Sequence, residues 1–376
     1  MMILTKCIRG ENMKAYPVET IDFDEAKEFQ FKLVDLIHKH FRGDEFLQAG
    51  DFGITPNLGK PKYTEKVEKV LAEFFEAEDC VLVRGAGTGA IRSVMNAEMR
   101  SGDKILVHNA PIYSTTETIV KSMGLEPVIV DFNDISFLDE ELVKSCRFCL
   151  VQHSRQKMED KYELDKVISK LKEINDKLFL LVDDNYVVMK ARKIGVQCGA
   201  NASAFSLFKL LGPEGIGCVV GDREVIDKIE KINYSGGSQV QGHEAMEALR
   251  SLVYAPVMLA IQKEVGDEVV ERINSGEIKG VKSAFIANAQ SRVILVEFEQ
   301  PIAKKVLEYS NVLGTAPYPV GAESRYEVTA MFYRVSGTFL KTNEKLGDYM
   351  IRINPMRSGA NTIIRILKET IDKALM

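Results

Sequence analysis

No apolar run in the sequence approaches the ~20 residues that a bilayer-spanning helix needs, which excludes a helical membrane protein. No basic block or stripe is present either. The 49 Lys and Arg stand against 54 Asp and Glu, for a net charge of −5, and both signs are spread along the chain. Neither nucleic acid nor a membrane surface is therefore expected as a partner. The first residues, MMILTKCIRGENMK, lack the apolar h-region of a secretory signal, and Met13 reads as an alternative start that would make what precedes it an accessory tail. Internal repeats and low-complexity segments are absent. Cysteine is scarce, with six residues at positions 7, 80, 146, 149, 198 and 218. Cys146 and Cys149 form a single CxxC with no second pair to complete a zinc site, so no metal is expected. Most of the cysteines fall in apolar runs that read as buried strands. Free thiols fit a reducing cytoplasm.

What is present is an ordinary globular composition, 45% hydrophobic and 27% charged. At 376 residues the chain is long for one core. The expected division is an N-terminal arm over 1–55 that contributes to the small domain or a dimer interface, a large domain over 56–274 and a small domain over 275–376.

From about residue 65 to 220, short apolar runs alternate with amphipathic stretches. Strands are expected at Cys80–Arg84, Lys104–His108, Pro127–Asp131, Phe148–Gln152, Leu178–Val182, Ser203–Leu207 and Gly217–Val220. Helices are expected at Gly89–Met99, Thr115–Ser122, Leu138–Ser145 and Leu164–Asn175. This alternation implies an α/β fold, a mostly parallel seven-stranded sheet with helices on both faces. The turn Gly212–Gly215 is too short for a helical crossover, so the last strand is expected to run antiparallel. From Gln241 to Ile273 the chain reads as a long helix, kinked or split at Pro256. Strand-like runs (Val293–Phe298, Tyr349–Ile353) and helices (Ala303–Leu313, Thr362–Leu375) then indicate a smaller α+β domain.

In open α/β sheets ligands bind beyond the carboxyl ends of the strands, so the residues that follow each strand are informative. They are Gly85-Ala86-Gly87-Thr88-Gly89-Ala90, Asn109 to Tyr113, His153-Ser154-Arg155, Asp183-Asp184-Asn185-Tyr186 and Ser206-Leu207-Phe208-Lys209. Gly87, Thr88 and Gly89 open a helix and suit a phosphate, although glycine-rich turns equally serve tight packing. Asp183 ends an apolar strand, where a carboxylate needs a cation or several donors. The alternatives are a helix N-cap and a salt bridge to a protonated pyridine nitrogen. Tyr186 is either a rim packing residue or a hydroxyl reaching a bound ring. Lys209 closes the apolar stretch AFSLFK. It either snorkels or is desolvated into a nucleophilic amine.

Together these residues resemble the fold-type I enzymes that depend on pyridoxal 5′-phosphate (PLP), the aspartate aminotransferase superfamily. Asp183-x-x-Tyr186 followed by Ser206 and Lys209 is similar to the class V aminotransferase and cysteine/methionine-metabolism branches, as is GPEGIG after the lysine. RGAGTGAIR, VHNAPIYSTT, LVDDNYVVMK, FKLLGPEGIG, YSGGSQVQG, PYPVGAESRYE and IRINPMRSG resemble the YhfS-like group, to which mutase or aminotransferase chemistry is attached, from about residue 16 to the end. The resemblance implies PLP as cofactor, bound to Lys209 as a Schiff base, with the lysine also moving the α-proton. It implies Asp183 on the pyridine nitrogen and Tyr186 near the phenolic oxygen. Thr88, Gly89 and Ser206 would hold the phosphate beside Gly87, and Tyr113 would stack on the ring, with His108 a weaker candidate. Gln152 or His153 would lie at the opposite ring edge. Arg352 would grip the carboxylate of an amino-acid-like substrate, its alternative being a surface ion pair. Ser235–Ser238 would reach the phosphate of a neighbouring subunit in a homodimer with shared active sites. One departure is Asn185-Tyr186 where many class V enzymes carry Gln or His. A second is the extra acid Asp184, which either caps the helix or meets a substrate amine.

Two rival readings remain. Gly85-x-Gly87-x-x-Ala90 matches a dinucleotide fingerprint, which suggests a nicotinamide-dependent dehydrogenase. The next strand, however, ends in His108-Asn109 where the fingerprint calls for an acid. The other rival is a catalytically inactive PLP-binding protein.

Overall fold

The computed structural model describes residues 15–376, apart from 236, 289–291, 322, 336–339 and 341–343. Seven strands form the larger sheet: β1 (Asp79–Arg84), β2 (Lys104–His108), β3 (Glu126–Val130), β4 (Phe148–Gln152), β5 (Phe179–Asp183), β6 (Ala202–Ser206) and β7 (Ile216–Gly221). Their spatial order is β1-β7-β6-β5-β4-β2-β3. β7 pairs antiparallel with both β1 and β6, and the other pairs are parallel. The short turn after Lys209 thus produces the reversed strand that its length demands.

Burial on both sheet faces explains why the strands read as continuous apolar runs. Side chains alternate between two cores along most strands, as the pleat requires, while the edge strand β3 is largely exposed. In β1, Cys80 and Leu82 face one core while Val81 and Val83 face the other. The first core is closed by helices α1 (Phe23–His40), α2 (Lys62–Phe74) and the amino-terminal half of the long helix described below. The second is closed by α3 (Ala86–Glu98), α4 (Ser114–Ser122) and, further along, α6 (Arg223–Ile232). Between these last two in sequence, α5 (Leu164–Ile174) covers β4 and β5 from the first side.

Helix α7 runs unbroken from Gly242 to Asn274 with Pro256 inside it, whereas the sequence suggests a kink or split. Leu252, Ala255 and Leu259 are buried around the proline, and that packing offsets the hydrogen bond the ring removes. The helix joins two cores. Met246 and Leu249 pack against the large sheet, while Val269 and Ile273 pack under the small one. The small sheet, in the order β10-β11-β9-β8, is antiparallel throughout. Its strands are β8 (Val281–Ile286), β9 (Ile294–Phe298), β10 (Met331–Arg334) and β11 (Met350–Asn354), covered by α8 (Ala303–Val312) and α9 (Ala360–Leu375).

The junction of β1 with α3 is set by close approach. Gly85 caps α3 in the left-handed region at φ +97°, open to glycine at little cost. A Cβ on Gly89 would lie 2.0 Å from the Arg84 carbonyl oxygen. Gly89→Ala is therefore expected to destabilise the fold by about 1–3 kcal/mol, measured by urea unfolding. A change below about 0.5 kcal/mol, the scatter of ordinary surface substitutions, would show that the junction is not tightly packed.

Candidate active site

The carboxyl ends of β1, β4, β5 and β6 meet at one cavity of about 290 Å³. Gly87, Thr88, Tyr113, Asp183, Tyr186, Ser206 and Lys209 all line it. Residues 319–321, which precede the small sheet's β10, also line it.

Asp183 ends β5 and is buried. Desolvation raises its pKa, opposed by hydrogen bonds from Asn185 and by the Lys209 charge. Asn185 donates to Asp183 Oδ1 from its side-chain nitrogen at 2.8 Å and from its backbone N–H at 3.1 Å. Its own Oδ1 accepts from the Ser206 N–H at 3.1 Å. A Cβ on Gly87 would fall 2.3 Å from that same Oδ1, so glycine is needed there to let α3 approach. Asn185 thereby fixes the carboxylate and ties together three of the contributing turns. The sequence marks it only as a departure from a family pattern, because beyond the neighbouring Asp183 its partners, Ser206 and Gly87, lie 21 and 98 positions away.

Lys209 follows β6. Desolvation lowers its pKa, opposed by Tyr113, Asp183 and Glu323. Its Nζ lies 3.6 Å from the centroid of the Tyr186 ring and 5.8 Å from that of Tyr113. The two tyrosine hydroxyls are hydrogen-bonded to each other. The Tyr186 charge and burial push the Tyr113 hydroxyl up to about 12. Burial pushes that of Tyr186 higher still, so both are neutral donors at ordinary pH. Tyr186 is held at φ +70°, an uncommon backbone state for a bulky residue that is found where the surroundings over-determine it.

Gly87 and Thr88 lie in the first turn of α3, whose amides have no intrahelical partner. The Thr88 hydroxyl donates to Thr115 Oγ1 at 3.0 Å. Gly89 does not line the cavity: its N–H donates to the Gly85 carbonyl, and its missing side chain serves the junction with Arg84. Gln152 does reach the cavity, accepting from the Tyr113 N–H at 3.2 Å. The Nε2 of Gln152 and the hydroxyl of Thr116, both buried at the cavity, have no partner among the described residues. Buried donors without partners are uncommon and call for a ligand or water. First-turn amides for a phosphate, a carboxylate for a ring nitrogen, a desolvated amine for an aldehyde and orphaned donors together fit PLP.

Three expectations are corrected. His153 is turned away from the ring edge and bonds Asp184 Oδ1 through Nδ1 at 2.7 Å. Asp184, fully buried, also accepts from the Gly195 N–H at 3.0 Å. Both its oxygens are thus engaged inside the protein, on His153 and on the first amide of a short 3₁₀ turn, away from the cavity that Asp183 lines, so it neither caps the helix expected after β5 nor meets a substrate amine. His108 is likewise turned from the cavity, bonding Asp160 through Nε2 at 3.0 Å and accepting the Phe132 N–H at 3.0 Å. Arg352 lies on β11 opposite Tyr333. Its guanidinium sits 4.0 Å from that ring's centroid and donates to the Arg334 carbonyl. Arg352 does not line the cavity, but its charge bears on both Tyr186 and Tyr113. Of Ser235–Ser238, Gly236 lies outside the described residues.

A buried ion pair anchors the loop that carries residues 319–321. Lys190 Nζ meets Glu323 Oε2 at 2.5 Å, and Gln262 of α7 donates to Glu323 Oε1 at 2.9 Å. Glu323, at φ +74°, is buried. Nothing local in the sequence pairs residues this far apart.

A family model described as aminotransferase class-V matches residues 59–251, and a model of the YhfS-like C-terminal domain matches residues 267–367. The chain belongs to the aminotransferase class-V family. Its YhfS-like character is equally direct: the chain is 51% identical to the protein YhfS of Escherichia coli (strain K12), over 96% of this chain and 99% of that one. This class V chain superposes with a TM-score of 0.94 on a crystal structure described as the pyridoxal-5′-phosphate-dependent protein YhfS from E. coli, covering 96% of this chain and 100% of that one. Two more distant structures share the fold. A cystathionine γ-synthase from Xanthomonas oryzae pv. oryzae has TM-score 0.71 at 14% identity, covering 92% and 98% of the two chains. A methionine γ-lyase from Micromonospora echinospora has TM-score 0.69 at 13%, again covering 92% and 98%. Membership of the class V family sets aside the nicotinamide reading of the glycine-rich turn.

Removing one member of the Lys190–Glu323 pair leaves the other charge buried. Lys190→Met is expected to cost about 3–5 kcal/mol of stability, and the double variant Lys190→Met/Glu323→Met less than either single change. Equal, additive losses in denaturant unfolding would show that the two groups act independently.

Proposed function

We propose that this chain is a PLP-dependent enzyme that acts at the α-carbon of an amino acid, by transamination, elimination or a mutase-type shift. The observation that carries this reading is one cavity shared by a desolvated amine (Lys209), a carboxylate pinned by two hydrogen bonds (Asp183) and the first turn of a helix opened by Gly87 and Thr88. When bound, PLP supplies an aldehyde for the lysine amine and a ring that draws electron density from the α-carbon.

The protein's part is positioning and proton control. Asp183, disfavoured as an anion by burial, would be stabilised by a facing N–H cation and so would keep a proton on a pyridine nitrogen. Gly87, Thr88 and Ser206 are assigned to the phosphate, Tyr113 to the ring face and Tyr186 to the ring oxygen. Lys209 Nζ, with its depressed pKa, is the base that takes a proton from the α-carbon and returns it. Arg352 is assigned to the substrate carboxylate. It is mostly buried and its charge bears on the cavity's tyrosines, a setting that suits bidentate carboxylate binding.

A homodimer with shared sites and a cytoplasmic setting belong to the same proposal. Leu47, Phe52 and Ile54 are 85%, 78% and 49% exposed, an apolar surface of the kind that subunits cover. Among the described residues the cysteines are free thiols, as in a reducing compartment.

Incubation with PLP is expected to give a visible absorbance band that borohydride removes and that Lys209→Ala lacks. The rate of PLP capture is expected to rise with pH and level off below the ordinary lysine value of 10.5, because a lowered pKa frees the neutral amine at lower pH. A band that survives Lys209→Ala, or a rate still climbing through pH 10.5, would count against the assignment.

A further inference from the structure

Part of the cavity's lining is built from Phe208, immediately before Lys209, and from Pro319, Val320 and Gly321. Among the described residues that line the cavity, only Asp183 and Lys209 carry a formal charge, and both are committed to the cofactor. With Arg352 assigned to the substrate carboxylate, no charged group among the described lining residues is left to pair with a substrate side chain, and burying an unpaired charge against this wall is costly.

The wall is also held in place. A Cβ on Gly321 would fall 2.1 Å from Phe208 Cε1, so the ring cannot swing toward the loop. Glu327 accepts from the backbone N–H groups of Val320, Gly321 and Ser324 at 2.6, 2.9 and 2.7 Å, and from the Ser324 hydroxyl. Glu323 is anchored to Lys190 and Gln262. Tyr326 donates its hydroxyl to Glu214 and its ring packs 6.2 Å from that of Phe208. Loop and ring are thus fixed from three directions, and a bulky ligand gains no room by displacing either.

About 290 Å³ lies at the small end of the ~300–1,000 Å³ of small-molecule sites, and the cofactor takes much of it. We infer that Phe208 and the Pro319–Gly321 segment form a rigid, uncharged wall that restricts the substrate to amino acids with a compact, uncharged side chain. This rests on the PLP reading above and goes beyond it by naming the substrate class.

The test is a titration of the full-length, PLP-loaded protein with alanine, serine, leucine, phenylalanine, aspartate and lysine, each as both enantiomers, followed by the change in cofactor absorbance. Alanine or serine is expected to bind at least about tenfold more tightly than the other four, the discrimination that a methylene or two supplies in a closed pocket. Phe208→Ala is expected to improve leucine and phenylalanine relative to alanine by about tenfold or more while aspartate and lysine stay weak. Phe208→Leu, a milder change, is expected to move the same ratio in the same direction and serves if the alanine variant fails to fold. Tightest binding of aspartate, lysine or phenylalanine by the unaltered protein would overturn the inference. So would variants that shift every amino acid equally, or a loaded protein that binds none of the six. Failure of the unaltered protein to develop cofactor absorbance would instead sink the PLP reading, and the wall's assignment with it.

Discussion

An amine and a carboxylate share a cavity in which neither is well solvated, and the rest of the site exists to hold them there. Burial pushes Lys209 toward its neutral form and Asp183 toward its protonated form, and each partly offsets the other through its charge. A pair left in that state is poised for a ligand that uses the amine as a nucleophile and brings its own positive charge to the carboxylate. Asn185 keeps the carboxylate oriented, and its contact with Gly87 sets how near the phosphate-facing helix comes.

The fold delivers this arrangement because β5 and β6 are parallel neighbours and end at the same rim. The reversed strand β7 lets the chain turn back directly after Lys209. It also packs Gly217 beneath the start of α3, where a Cβ would lie 2.2 Å from the Ala86 carbonyl oxygen. Helix α7 then carries the chain from the large core to the small one. It presents Gln262 to Glu323 midway, so the loop that helps line the cavity is positioned from the large core as well as from its own sheet.

Much of this was legible in the sequence, for identifiable reasons. Strands buried on both faces appear as apolar runs, and the polar or glycine-rich residues after them mark one rim, which is how Gly87, Tyr113, Asp183, Ser206 and Lys209 stand out. The direction of β7 follows from the length of one turn. Side-chain orientation at strand ends was less accessible. Asp183 and Asp184 are adjacent and chemically alike, yet one lines the cavity and the other bonds His153. His108 falls at the right place in the chain but is claimed by Asp160. Long-range pairs such as Lys190 with Glu323 leave no local signature at all. Neither does the integrity of α7 at Pro256, which depends on the packing of its neighbours.

The most direct test of the central claim is peptide mapping by mass spectrometry after the PLP-loaded protein is reduced with borohydride. The account predicts a stable cofactor adduct on the peptide that contains Lys209, at a stoichiometry near one per chain. An adduct on the buried Lys190 or on surface lysines, with Lys209 unmodified, would contradict it.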